Sequence, residues 1–346
     1  MTENRSAVAT ARRSWLRAGP LAGDGESPGI VLLRDFAIVL VLLTTVAVFV
    51  IWYGPEFLAL GNLGDMADSA SLTAIFATGE AVVVMAGAID LSIAPIAAVS
   101  GIVGAKLLQA GVPSVFALLI TVAFGGVLGA INGLLVTKLR LTALVATIAT
   151  LSAYSGLAFI LAGGEQIFGV DGFDWLGQHR FFDTLTAPTI VMLVVVIATA
   201  AFIRLTRWGM RLLAVGGNAE AARRCGLKVD AYTIGAFTFS GCMAALAGCI
   251  MLGFLTTAEP AAASTAIFDA ITAVALGGVA LSGGQGSILR VLAGALVIGV
   301  ITTGLLLNGV QPYYALVVTG VLLVLAVAFE SVLTRAAEAR ANVESG

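Results

Sequence analysis

The sequence predicts an all-α polytopic membrane protein of about ten transmembrane helices, with both termini cytoplasmic. Three observations carry this. Hydrophobic residues make up 59% of the chain and charged ones only 11%, whereas a water-facing domain carries roughly 25% charged residues. Most of the surface must therefore meet lipid or other parts of the chain, as the mean hydropathy of +1.04 also requires. Apolar runs near the roughly 20 residues that cross a bilayer as a helix recur from Phe36 to Leu333. Basic residues, finally, gather in alternate loops, and that distribution says more than the formal net charge of −2.

Residues 1–30 form a polar tail with Arg5, Arg12, Arg13 and Arg17. It lacks an apolar core followed by a small-residue cleavage site, so it reads as cytoplasmic and not as a signal peptide. Residues 31–336 form a single transmembrane domain, and 337–346 a second cytoplasmic tail. Within the domain the hydropathy places helices at Phe36–Tyr53, Asp68–Gly87, Leu91–Ala110, Pro113–Val136, Thr142–Ala162 and Pro188–Ile203. After a polar interruption at 204–230 come Ala231–Leu255, Phe268–Leu281, Ile288–Leu307 and Pro312–Leu333. Counted from a cytoplasmic tail, the inward loops hold the KLR of 138–140, the arginines of 204–230, Arg290, Arg335 and Arg340. The outward loops hold Glu56, Asp65, Glu165, Asp171, Asp174, Asp183 and Glu259, with Lys106 and Arg180 as exceptions. An even number of spans follows.

AGAIDLSIAP at 86–95 and LGGVALSGGQ at 276–285 share Gly, Leu and Ser in register. This faint echo admits an internal repeat of two five-helix halves, an arrangement that in transporters sets the pathway between the halves.

GGVLGAINGLLV puts Gly125, Gly129 and Gly133 on one face of the fourth helix at four-residue spacing. Such a face lets two helix backbones approach closely in lipid, with a partner helix either in this chain or in a second copy. Glu80 stands in an apolar helix, where an acidic side chain at the bilayer centre costs roughly 2.5–3.5 kcal/mol and therefore faces protein or water. Ser69, Thr73, Glu80 and Gly87 align along one face, which reads either as pathway lining or as a brace for a neighbouring helix. Asp90 precedes LSIAP and reads as an N-cap. Thr147, Thr150 and Tyr154 share a face of the fifth helix; they are candidates for the translocation pathway, although threonines in membrane helices commonly bond their own backbone.

GGVALSGGQGS at 277–287 lacks the lysine and spacing of a phosphate-binding loop and reads as a broken helix or tight turn. No metal-ligand, Ser/His/Asp or nucleotide-binding constellation emerges. Cys225, Cys242 and Cys249 show no metal spacing, and no structural disulfide is expected of them. His179 is the single histidine, in an outer loop.

VGGNAEAARRCG, residues 215–226, is the odd polar stretch. Gly216 and Gly217 would permit a sharp turn, with Asn218 as N-cap. Glu220 in the first turn and Arg223 and Arg224 in the last complement the helix dipole, and Gly226 fits a left-handed stop. The result is a helix of about two turns, roughly 10 Å long. So short a helix does not persist alone in water, and it must rest on its own loops, on lipid headgroups or on a cytoplasmic partner.

AGAIDLSIAPIAAVSG, INGLLVTKLRLTALVATIAT, WGMRLLAVGGNAEAARRCGL and ALGGVALSGGQGSI, taken in that order, resemble the ribose/xylose/galactose-type permease family of bacterial ABC importers. The resemblance runs from about Phe57 to Leu333. It implies a multi-pass protein of the bacterial inner membrane that works as a pair of permeases, here a homodimer. The implied partners are cytoplasmic ABC ATPase subunits, which would hold the ATP and magnesium, and an extracytoplasmic substrate-binding protein. The chain itself would bind no cofactor, no metal and no nucleic acid, and would be no enzyme. Gly217, Asn218, Glu220, Ala221, Arg223, Arg224 and Gly226 then look like the coupling helix that docks on the ATPase. Asp90, Ser92, Asn132, Gly277, Gly283, Gly284 and Gly286 fall, like the glycine stripe, in the family's structural motifs.

The implied function is ATP-driven import of a pentose, hexose or related polyol by alternating access. The alternatives are a branched-chain amino acid or nucleoside permease of the same superfamily, and a proton-coupled secondary transporter using Glu80. Three departures from the family pattern bear on substrate: Ala88 replaces a glycine, Ser155-Gly156 an Arg-Gly, and Thr142-Ala143 a Pro-Pro pair.

Overall fold

The computed structural model describes residues 28–181 and 185–344. The arginine-bearing tail up to residue 27, and Asp183, lie outside the described residues. The chain is a bundle of helices: α1 (Pro28–Tyr53), α2 (Leu60–Met85), α3 (Ile93–Gln109), α4 (Ser114–Lys138) and α5 (Ala143–Ala162), then α6 (Asp174–Gly177) and α7 (Ala187–Leu205). The polar interruption forms α8 (Arg207–Gly217) and α9 (Ala219–Arg224). The second half continues with α10 (Val229–Leu255), α11 (Ala266–Leu276), α12 (Ile288–Leu307) and α13 (Pro312–Glu344). Among the described residues seven helices are long and apolar enough to cross a membrane, and α3, α11 and the Tyr313–Ala328 part of α13 are shorter apolar helices. Each of the ten expected spans thus contains a helix, the eighth ending at Leu276 and not at Leu281. The last runs on to Glu344, so the tail expected from 337 continues α13, and residues 345 and 346 lie outside the described residues.

Burial sorts the helices into a centre and a rim. In its apolar window α2 is 83% buried and α1 only 11%, which puts α2 in the middle and α1 against lipid. Beside α2 stand α10 and α12, and α10 in turn packs along α4. That last interface is built by glycine. A Cβ on Gly129 would overlap the Phe237 carbonyl, one on Gly125 would overlap Ala245 Cβ, and one on Gly133 would lie 2.7 Å from Ile234 Cα. The partner of the glycine stripe is therefore α10 of the same chain. Where lipid is as apolar as leucine, such backbone contact replaces hydrophobic drive.

The two ends of the bundle differ in charge. At one end α8 and α9 lie beside the α4–α5 turn, carrying Lys138, Arg140, Arg207, Arg211, Arg223, Arg224 and Lys228. There Lys138 pairs with Asp230 at 2.8 Å. At the other end the α5–α7 connection is tied down by short strands, β1 (Ile167–Phe168), β2 (Arg180–Phe181), β3 (Leu185–Thr186) and β4 (Thr257–Ala258). β1 pairs with β4 and β2 with β3, both antiparallel. Arg180 reaches Asp65 at 3.4 Å, and the Asp68 carboxylate accepts from the Thr186 hydroxyl.

Candidate functional site: a glycine junction and a buried polar chain

Helices α3 and α11 are too short to span, at about 26 and 17 Å by their residue counts of 17 and 11. The loops beside them, 86–92 and 277–287, meet each other and the end of α8. Gly284 N–H donates to the Met85 carbonyl at 3.0 Å, joining the two loops. A Cβ on Gly283 would lie 2.7 Å from Gly87 Cα and 2.8 Å from the Gly216 carbonyl; one on Gly284 would lie 2.6 Å from Gly217 N. Gly216 itself has no room for a Cβ, which would overlap the Met85 carbonyl. The two loops that echo each other in sequence are thus in contact, with the α8 terminus wedged against both. Gly277 also needs to be glycine, since a Cβ there would lie 2.7 Å from Val291 N, while a Cβ on Gly286 would press on the Met85 and Val279 side chains at 2.7 and 2.9 Å.

This geometry corrects the reading of Gly216 and Gly217 as a sharp turn. Both belong to the last turn of α8, and the chain changes direction at Asn218 alone, whose φ is −158°. Asn218 caps α9 as expected, Oδ1 accepting from Ala221 N at 2.9 Å, and Gly226 adopts φ +83°. Helix α9 is held by its own chain through Ala222, buried with Val215 and Val229. Its other face is open: the Glu220, Arg223 and Arg224 side chains are 74%, 65% and 80% exposed. Glu220 pairs with Arg224 one turn on.

From the junction a polar chain runs into the core. Asp90 is fully buried; its Oδ1 accepts from Ser92 N at 3.0 Å and Ser92 Oγ at 2.6 Å, and its Oδ2 from Ser240 Oγ on α10 at 3.1 Å. Asn132 Nδ2 on α4 donates to Ser92 Oγ at 2.6 Å, and the Tyr154 hydroxyl on α5 donates to the Leu128 carbonyl at 3.1 Å and Asn132 Oδ1 at 3.3 Å. On α2, Glu80 Oε1 accepts from Asp90 N at 3.1 Å. Four helices, α2, α4, α5 and α10, are thereby pinned around one loop. Asp90 is not the N-cap of α3, as expected; Ser92 holds that position and Asp90 organises the turn before it.

All four candidate pathway residues are buried. Glu80 and Tyr154 bond into the Asp90 chain. Thr147 and Thr150 donate to carbonyls of their own helix, with Thr147 also 3.4 Å from the Ile89 carbonyl. Ser240 is the member that sequence reasoning missed; its only signal is a hydroxyl beside Gly241, in a helix that carries Thr233 and Thr238 as well. Cys225, Cys242 and Cys249 are free thiols. Among the described residues no group of His, Cys, Asp or Glu could hold a metal ion.

Asp90→Ala would leave three donors without an acceptor, each costing about 1–3 kcal/mol when buried. Thermal unfolding of the purified protein should show Asp90→Ala well below wild type and Asp90→Asn between them, since the amide oxygen still accepts from Ser92.

A bundle of ten apolar helices, two of them broken, that displays a capped polar helix at its basic end defines a polytopic membrane permease subunit. The chain belongs to the family described as the branched-chain amino acid transport system / permease component, which matches residues 62–327. It is 35% identical over 276 residues to the ribose import permease of Bacillus subtilis, covering 79% of this chain and 85% of that protein. It is 34% identical to the ribose import permease of Escherichia coli K12 (83% and 91% covered) and 34% identical to that organism's D-allose transport permease (85% and 91%). No solved structure matches the chain.

Proposed function

We propose that this chain is the membrane subunit of an ATP-driven importer that carries a sugar, a pentose, hexose or related polyol, into the cytoplasm. The observation that carries the reading is α9: a capped helix with an exposed Glu220, Arg223 and Arg224, seated on a junction that touches both broken-helix loops. A push on α9 reaches the α2–α3 and α11–α12 loops through backbone contact alone. The positive-inside rule puts this end in the cytoplasm of a cell's inner membrane, where an ABC ATPase binding ATP and magnesium would meet it. A substrate-binding protein would deliver sugar at the opposite end, and two copies of the chain would flank the path. The Asp90 chain, with Glu80, Thr147, Thr150 and Tyr154, would brace the wall that moves. Movement gains direction only where substrate and nucleotide bind the two states with different affinity.

The sugar assignment rests on the ribose and D-allose that the relatives are named for. The family's own description favours a second reading, a branched-chain amino acid. Reconstitution with the cognate ATPase and binding protein separates them: ribose, allose or another sugar should stimulate ATP hydrolysis, and leucine should not. Stimulation by leucine alone would move the assignment to amino acids. In the same assay Glu220→Lys with Arg223→Glu should lower stimulated hydrolysis at least tenfold while leaving the permease folded. Uptake driven by a proton gradient without the ATPase would overturn the importer reading.

A further inference from the structure

A crevice of about 640 Å³ opens between α7, α8 and α10 in the half of the bundle nearest the basic end. Phe202 and Ile203 at the end of α7, Trp208 in the first turn of α8, and Gly235, Phe239 and Cys242 of α10 line it. Along α10 it runs from Gly235 to Cys242, about 10 Å at 1.5 Å per residue. A Cβ on Gly235 would lie 3.1 Å from the Trp208 ring, a tight contact that would narrow the crevice. The indole packs on Phe202 at 5.3 Å and on Tyr232 at 5.9 Å between ring centroids.

Two exposed arginines stand at its mouth: Arg207 precedes Trp208 directly, and Arg211 lies one turn further along α8. Arg211 donates to the Tyr232 hydroxyl at 3.4 Å, which links the cationic corner to the aromatic wall. The carboxylates of Glu220 and Asp230 are engaged elsewhere, with Arg224 and with Lys138 and Arg223. An apolar slot at membrane depth under clustered arginines matches a molecule with a methylene chain and an anionic head. Guanidinium groups hold phosphate through paired hydrogen bonds, and basic pockets between helices on the cytoplasmic side take anionic headgroups.

We propose that this corner is a binding site for an anionic phospholipid, with one acyl chain in the crevice against Trp208 and the headgroup phosphate on Arg207 and Arg211. The lipid ties α7 and α10 to α8, the helix whose end forms the glycine junction. The site needs only that this corner meets lipid, so it stands whether or not the importer reading does.

Trp208 reports on it directly. The chain contains four tryptophans, and replacing Trp15, Trp52 and Trp175 by phenylalanine leaves Trp208 as the single emitter. In phosphatidylcholine nanodiscs, brominated phosphatidylglycerol should quench Trp208 at least twice as strongly as an equal fraction of brominated phosphatidylcholine. Arg207→Gln with Arg211→Gln should abolish that difference while emission in unbrominated lipid, a check on folding, stays unchanged. Equal quenching by the two lipids would mean that bulk lipid alone fills the crevice and would overturn the proposal. Absence of quenching by either would show it covered by protein, such as a second copy, and would overturn it too.

Discussion

Gly129→Ala should destabilise the protein by about 1–3 kcal/mol, the usual cost of forcing an extra carbon into a packed core, and Gly129→Val should prevent stable folding. The added Cβ meets the Phe237 carbonyl, which is backbone and cannot rotate away. Helices α4 and α10 would have to separate, exposing Gly125 and Gly133 to a gap on either side and stretching the Asn132–Ser92 and Ser240–Asp90 bonds that cross the same region. Damage should therefore extend beyond one contact. Two other glycines set the scale. A Cβ on Gly126 would lie 2.7 Å from Cys242 Sγ, a side chain able to move, so Gly126→Ala should cost less. Gly156 on α5 has nothing within 4 Å, and Gly156→Ala should be near neutral. Thermal unfolding in detergent, followed by tryptophan emission, orders the three; a Gly129→Ala midpoint equal to that of Gly156→Ala would refute the close packing.

Sequence reasoning reached the helices because apolar length and glycine spacing are local properties. The four-residue glycine stripe announces close packing, but it is silent on the partner, since any helix with a matching small face would serve; only the fold brings Gly241 of α10 to it. The polar chain shows the same limit. Asp90, Ser92, Asn132 and Tyr154 each stand out as polar residues in apolar surroundings, and their types suggest burial with partners. That they bond to one another, and to Ser240 at a distance of 150 residues along the chain, is a tertiary fact with no periodic trace. Capping was legible at Asn218, because the cap and its donor lie three residues apart.

The neighbouring pair Gly216 and Gly217 marks where local reasoning misleads, and it yields the sharpest test of the junction. As a turn, both positions would resist substitution alike. As the last turn of α8 pressed on two loops, they should differ. A Cβ on Gly216 overlaps the Met85 carbonyl and lies 2.8 Å from Gly284 N, whereas one on Gly217 finds its nearest neighbour at 3.8 Å, ordinary contact. Alanine is also the better helix former at both sites by nearly 1 kcal/mol, so local propensity predicts gain in each case and only packing separates them. Gly216→Ala should push α8 off the Met85–Gly284 contact and reduce ATP-coupled uptake at least tenfold, while Gly217→Ala should transport within about twofold of wild type, a difference under 0.5 kcal/mol in the coupling step. The hydrophobic seat of α9 on Val215 and Val229 lies on the far side of the same turn. Its loss in Gly216→Ala should appear as faster tryptic cleavage after Arg223 and Arg224. Equal behaviour of the two variants, in uptake and in cleavage, would return the pair to the role of a simple turn and remove the mechanical link from α9 to the broken-helix loops.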